Sequence, residues 1–186
     1  MAAIRLASSG DAAAIAAIYR PYVEHSHFTF EEAAPATDEI GARMANPLHP
    51  WLVIQEHGRV LGYASTSAMR NRAAYRWSVE TGIYLAAEAQ GRGIGRELLT
   101  AHLDLLKRQG FVTAIAGIAL PNEASAALHE KVGFTLVGIE RGVGFKLGRW
   151  VDVGRWQHDL AARTSEPEEP DCHPGLEPGP AFSSIT

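Results

Sequence analysis

Cysteine is nearly absent: Cys172 is the one thiol among 186 residues, which excludes an internal disulfide and a cysteine-built metal cluster. A basic surplus is missing too. The chain has 17 Lys and Arg against 21 Asp and Glu, a formal net charge of -4, whereas a general nucleic-acid binder shows the opposite balance. No apolar run approaches the ~20 residues that a membrane-spanning helix needs. Arg5, Asp11 and Arg20 interrupt the alanine-rich N-terminal stretch, so a signal-peptide core is not expected. The histidines, including His25 and His27, lack metal-ligand spacing, and no metal is expected. These absences leave the expectation of a soluble cytoplasmic protein with neither nucleic acid nor membrane as partner. At 46% hydrophobic and 20% charged, the chain is long enough for one domain with a sizeable core.

Charge is unevenly spread. Residues 164–186 hold five of the ten prolines, five acids (Glu166, Glu168, Glu169, Asp171, Glu177) and no Lys or Arg. Closely spaced prolines forbid regular structure, and few apolar residues remain to offset ordering entropy. A domain over 1–163 and a disordered tail over 164–186 are expected, a proline-rich docking segment being the alternative for the tail. With the tail set aside, 16 of the 21 acids remain against all 17 basic residues, so the domain is nearly neutral.

Strand and helix patterns alternate before the tail. Residues 3–7 read as a short strand, followed by a helix opened by Gly10 and Asp11, which Pro21 is expected to kink or divide. Thr37 reads as the N-cap of a second helix that ends before Pro47. Residues 51–56 and 60–67 flank His57-Gly58 as a hairpin. A longer strand is expected over 75–85, a helix over 93–109, a strand over 112–119, a helix over 122–132 and final strands over 134–142 and 151–159. The order predicts a mixed α/β fold in which adjacent antiparallel strands precede the first strand–helix–strand crossover.

The segment 83–99, IYLAAEAQGRGIGRELL, carries the chemistry. A strand runs into Gln90-Gly91-Arg92-Gly93-Ile94-Gly95, and a helix with Leu98, Leu99, Leu103 and Leu106 on one face follows at once. Glycines let a ligand approach the backbone, and free N–H groups at a helix start attract anions. Arg92 and Arg96 add positive charge, so a pyrophosphate fits this turn; the alternative is a glycine-rich turn that binds nothing. A dinucleotide fingerprint needs glycine where Arg96 stands, and a nucleotide P-loop needs Gly-Lys-Ser/Thr, which is missing.

Gln90-x-x-Gly93-x-Gly95 resembles the Q/R-x-x-G-x-G/A signature of the GNAT superfamily of acetyl-CoA-dependent N-acetyltransferases. The blocks YRWSVETGIYL, GIALPNEASAALHEKVGF and GFKLGRWVDVGRWQ resemble its phosphinothricin N-acetyltransferase branch, over roughly residues 4–160. The resemblance implies a GNAT fold, a mixed and mostly antiparallel sheet of about seven strands flanked by helices, with acetyl-CoA as cosubstrate. The implied reaction moves the acetyl group directly to the α-amine of a small amino acid or analogue, of the phosphinothricin, methionine sulfone or methionine sulfoximine type. Acetylation of a protein N-terminus or another amine, and acyl-CoA sensing without turnover, are the alternatives. A homodimer through the last strands is also implied.

The resemblance distributes roles along the chain. Ile83, Tyr84 and Leu85 supply a strand edge for the pantetheine arm, with a backbone N–H, that of Leu85, facing the thioester as an oxyanion donor. Gln90, Gly91, Arg92, Gly93, Ile94, Gly95 and Arg96 take the pyrophosphate. Asn122 is an N-cap, which in the family also bonds coenzyme A, and Lys131 reaches the adenosine-phosphate end or is merely exposed. Glu80 is the candidate base, the alternative being an ion pair with Arg76 or another cation. His129 stands where many superfamily members carry tyrosine as the proton donor to the leaving thiolate; it is a general acid or a structural histidine. Phe30, Arg72, Ala74, Tyr75, Glu80 and Thr81 are the acceptor-side candidates. Glu31 replaces an arginine of the phosphinothricin enzymes, which counts against phosphinothricin itself. Trp150 and Trp156 read as core or dimer contacts.

Overall fold

The computed structural model describes residues 2–172. In chain order the elements are β1 (Ala3–Leu6), α1 (Ala12–His25), α2 (Thr37–Met44), β2 (Leu52–Glu56), β3 (Arg59–Ala68), β4 (Ser78–Leu85), α3 (Ile94–Arg108), β5 (Thr113–Ala119), α4 (Glu123–Lys131), β6 (Thr135–Lys146) and β7 (Arg149–Asp159). The strands form one seven-stranded sheet in the order β1-β2-β3-β4-β5-β7-β6. Among the described residues β4 and β5 are the one parallel pair; every other pairing is antiparallel.

Alternation along the strands buries both faces. Trp51 and Val53 of the β2 region meet Ile15, Tyr19 and Val23 of α1 and Ile40 of α2, while Leu52 and Ile54 meet Leu98 and Leu105 of α3. Val79, Ala114, Ala116, Ile118 and Trp156 pack on Leu99, Leu103 and Leu106 on that same second face. The leucine stripe of α3 is thus the lid of the sheet, and it holds the start of α3 against the end of β4. His57 and Gly58 have φ of 51° and 80°, as a tight two-residue hairpin requires.

Four local expectations are corrected. Pro21 does not divide the helix, since it lies within one continuous element; Pro21 and Ala17 both sit on its exposed side, where water can reach the carbonyl that proline leaves without a donor. Ala36, not Thr37, is the N-cap of α2, and Thr37 is its first residue. Residues 73–75 form a short 3-10 turn, so the long strand begins at Ser78. The two final strands extend to one hairpin turned at Leu147 and Gly148, with irregular register between Glu140 and Gly144; glycines at 138, 142 and 144 had masked the strand's length.

The expected tail falls partly outside the described residues, from 173 onward. Over 164–172 the chain has no helix or strand but lies along the domain: Trp77 Nε1 donates to the Glu168 carbonyl at 2.8 Å, Asp171 N donates to the Gln109 carbonyl at 2.9 Å, and Arg76 pairs with Glu169.

Candidate active site

The sheet opens at its parallel pair. β4 and β5 are in register at Ser78–Thr113, Val79–Ala114 and Glu80–Ile115, where pairing stops. Beyond that point β4 stays with β3 as far as Leu85–Gly62, and β5 stays with β7 as far as Ala119–Val153. Each strand follows its antiparallel neighbour, and a cleft of about 700 Å³ lies between them. Its walls are residues 81–85 and 116–119, and its ends are the glycine turn and α4.

Register settles which backbone groups face the cleft. Ala86 N donates to the Leu61 carbonyl at 2.8 Å, so Ala86–Leu61 is a bonded pair and bonded pairs alternate from there. Gly82 and Tyr84 therefore bond β3, whereas Ile83 and Leu85 turn N–H and C=O toward the gap. The Leu85 carbonyl accepts from Tyr22 Oη at 2.6 Å, and Gln90 Nε2 donates to that same Oη at 3.0 Å. Tyr22 thus ties the strand end to the glycine turn. Of the three expected edge residues, Ile83 and Leu85 offer backbone groups, while the ring of Tyr84 packs with Tyr19, Tyr22 and Tyr63.

The turn leads directly into a helix start. Gly91 and Gly93 have φ of 72° and 82°, a region costly for side chains, and Gly93 is the N-cap of α3. The N–H groups at the start of that helix have no intrahelical acceptor and carry the positive end of its dipole. A Cβ at Gly95 would lie 3.0 Å from Leu85 Cδ1, so glycine here also lets the helix sit close to β4. Arg96 and Lys131 line the cleft. Arg92 instead pairs with Glu56 at 2.9 Å, and the side chain of Ile94 is buried in the core, so these two contribute backbone to the turn.

Asn122 caps α4, its Oδ1 accepting from Ser125 N at 3.2 Å, and it lines the cleft. His129 is 3% exposed. Its Nδ1 is 2.8 Å from the Ser125 carbonyl, so Nδ1 carries the proton and Nε2 is an acceptor, buried and without a partner. Burial holds its pKa below the ordinary value, which keeps the ring neutral.

Glu80 sits where the strands part. Tyr63 pairs with Tyr84 and packs under α1, so Glu80, of the same parity as Tyr84, lies on the α1 face of the sheet. Arg155 Nη1 donates to its Oε1 at 2.7 Å, and Arg155 also contacts Glu140 Oε2 at 3.1 Å. The pairing cation is therefore Arg155; Arg76 is engaged by the tail. Gly117 lines the cleft, and a Cβ there would stand 2.7 Å from Arg155 Nη1 and 3.3 Å from Glu80 Oε1. The pair rests on bare backbone at the lip of the opening.

Thr81 is buried in the cleft wall, its hydroxyl donating to the Ile115 carbonyl at 3.3 Å. Arg72, Ala74 and Tyr75 form the exposed turn before β4, outside the cleft lining. Phe30 covers Gly144, whose Cβ would run into its ring, and Phe28, two residues earlier, lines the cleft instead. Lys146 Nζ donates to the Thr29 carbonyl at 2.8 Å, fastening this loop to β6. Glu31 is taken up by Arg43 at 2.6 Å. Trp156 is core, whereas Trp150 is 70% exposed. Tyr22, Gly117, Glu140 and Arg155 were missed from sequence; of these, an isolated glycine inside a strand is a signal of close approach.

The acetyltransferase (GNAT) domain family matches residues 4–154. The chain belongs to the GNAT acetyltransferases. A phosphinothricin N-acetyltransferase of Streptomyces viridochromogenes is 38% identical over 159 residues, 84% of this chain and 87% of the relative. An L-methionine sulfoximine/L-methionine sulfone acetyltransferase of Salmonella typhimurium is 38% identical over 160 residues, 84% of this chain and 94% of the relative. The solved GNAT superfamily phosphinothricin acetyltransferase of Sinorhizobium meliloti, in complex with AcCoA, has a TM-score of 0.85 at 37% identity, over 98% of this chain and 99% of that one. This GNAT protein is an acetyl-CoA-dependent N-acyltransferase with the mixed seven-stranded fold of its family.

Proposed function

We propose that this acetyltransferase moves the acetyl group of acetyl-CoA to the α-amine of a small amino acid or analogue, of the methionine sulfone, methionine sulfoximine or phosphinothricin type. The observation that carries the reading is the parting of β4 and β5, with an anion-binding glycine turn at one end and Glu80 on the α1 side of the opening. The names of the relatives supply the acceptor class.

Acetyl-CoA supplies an activated acyl group as a thioester. The amides of residues 91–96, with Arg96 and Lys131, hold the phosphates, and Asn122 bonds the same molecule. Ile83 and Leu85 pair with the pantetheine amides as an added strand would. A backbone N–H of this edge stabilises the negative charge that develops on the thioester carbonyl oxygen. Glu80 accepts a proton from the acceptor ammonium, directly or through water, leaving a neutral amine to attack. The C–N bond forms and the C–S bond breaks, and the proton that the new amide nitrogen sheds passes to the departing thiolate, directly or through water. His129 has a structural place in this reading, because its buried Nε2 is an acceptor and carries no proton to give. Thr81, Phe30, Arg72, Ala74 and Tyr75 shape the acceptor side, the last three as an exposed turn that meets substrate from outside the cleft.

The reading includes a cytoplasmic homodimer with a small-molecule acceptor as its other partner. Val137, Val143, Phe145, Leu147 and Trp150 leave an exposed apolar stretch along the β6–β7 hairpin, larger than scattered surface apolar residues account for. Sedimentation checks this: Trp150→Glu is expected to yield a monomer, and a monomeric parent at high concentration overturns the dimer. The function is tested by thiol release from acetyl-CoA with free amino acids, methionine sulfone, methionine sulfoximine and phosphinothricin. Release with one of these supports it. Release with peptides alone, or tight coenzyme A binding with no release, overturns it.

A further inference from the structure

Glu80 is not a lone carboxylate. It shares one guanidinium with a second carboxylate across three strands: Arg155 Nη1 is 2.7 Å from Glu80 Oε1, while Arg155 Nε and Nη2 are each 3.1 Å from Glu140 Oε2. The three side chains are half-buried, with 34%, 28% and 41% of their area exposed for Glu80, Arg155 and Glu140, so the pairing is less screened than at an open surface. Glu80 Oε2 has no hydrogen-bond partner among the described residues. From β3 the residue opposite Glu80 is Ser67, and from β5 it is Ile115, with Gly117 beside the pair. The charged groups that meet Glu80 or its partner are therefore Arg155 from β7 and Glu140 from β6.

We infer that Arg155 is a positioning residue for Glu80, holding Oε1 so that Oε2 is presented to the acceptor amine, and that Glu140 fixes the guanidinium from its other side. The inference rests on the reading of Glu80 as the base. Two carboxylates on one guanidinium give the cluster a formal net charge of -1, which suits an incoming ammonium group.

The test uses the full chain, with acetyl-CoA and the best acceptor from the panel, and reads kcat/KM from about pH 5.5 to 9. Arg155→Ala is expected to lower kcat/KM ~10-fold at neutral pH and to move the acidic limb upward by about one pH unit, with KM for acetyl-CoA unchanged. Arg155→Lys is expected to restore most of the limb's position. Glu140→Gln is expected to move it the other way, since the guanidinium then serves Glu80 alone. A limb that stays put in all three variants, whatever happens to kcat, overturns the inference and leaves a merely structural ion pair. If Arg155→Ala does not fold, the Lys and Gln variants decide by the same criterion. Glu80→Gln separates the two readings: an acidic limb retained in that variant means that Glu80 is not the base, whereas a limb lost there and unmoved by the Arg155 and Glu140 variants defeats the positioning role alone.

Discussion

The two ends of the cleft are made in opposite ways. The end proposed to bind the anion comes from one contiguous stretch, the end of β4, the glycine turn and the first turn of α3. The end proposed to take the acceptor gathers Glu80, Gly117, Glu140 and Arg155 from four strands, the two partners of its central ion pair standing 75 positions apart. The first uses backbone amides, whose direction follows from local dihedral angles. The second uses side chains, whose meeting depends on sheet register and on which face each strand presents. A contiguous site tolerates change elsewhere, whereas a dispersed one depends on every strand that contributes to it.

Substitutions that touch one end and spare the other put this contrast to work. The largest effect is expected from Glu80→Gln, which should lower kcat/KM ~10²–10⁴-fold while leaving acetyl-CoA affinity within about twofold in calorimetry. A matching loss of acetyl-CoA affinity would mean that the ends are not separable. Gly93→Ala attacks the other end: at φ 82° a side chain costs ~1–2 kcal/mol, and acetyl-CoA affinity should weaken ~10-fold with acceptor KM unchanged. Gly117→Ala places a methyl group against Arg155 and Glu80, and ~5-fold lower turnover is expected with intact cofactor binding. Unaltered kinetics in that variant would show that the pair does not need its bare floor.

The smallest effect concerns the helix behind the glycine turn. His102 of α3 is fully buried against the Thr66 hydroxyl at 2.6 Å, and burial lowers its pKa to about 4 from an ordinary 6.5. The unfolded chain therefore takes up this proton first as pH falls. The contribution of the neutral ring is complete above pH 6.5, declines below it and is gone below about 4. The melting temperature should fall across that window, and His102→Gln should flatten the fall. An equal slope in the variant would assign the acid loss to other groups.

Much of the fold was readable from residues alone. The leucine stripe of α3, the hairpin at His57-Gly58, the Asn122 cap and the strand–turn–helix around Gly93 are short-range patterns, and each stands where its spacing predicted. The misplaced features were those in which distant contacts override local preference. Pro21 is carried through α1 because its freed carbonyl faces water, and the glycines of β6 are held extended by pairing with β7. At the site, the glycine turn and the candidate base were legible, the latter through its resemblance to relatives, but the partner of that base was not. Nothing near Arg155 in sequence points to Glu80.

By itself, then, the sequence determined the glycine turn, because glycine torsions and the unpaired amides of a helix start are properties of neighbouring residues. Tertiary structure alone decided where β4 leaves β5, which cation meets Glu80 and which carboxylate shares it. Those outcomes follow from strand order and register, since a shift of one residue in any of the strands would turn these side chains to the other face of the sheet.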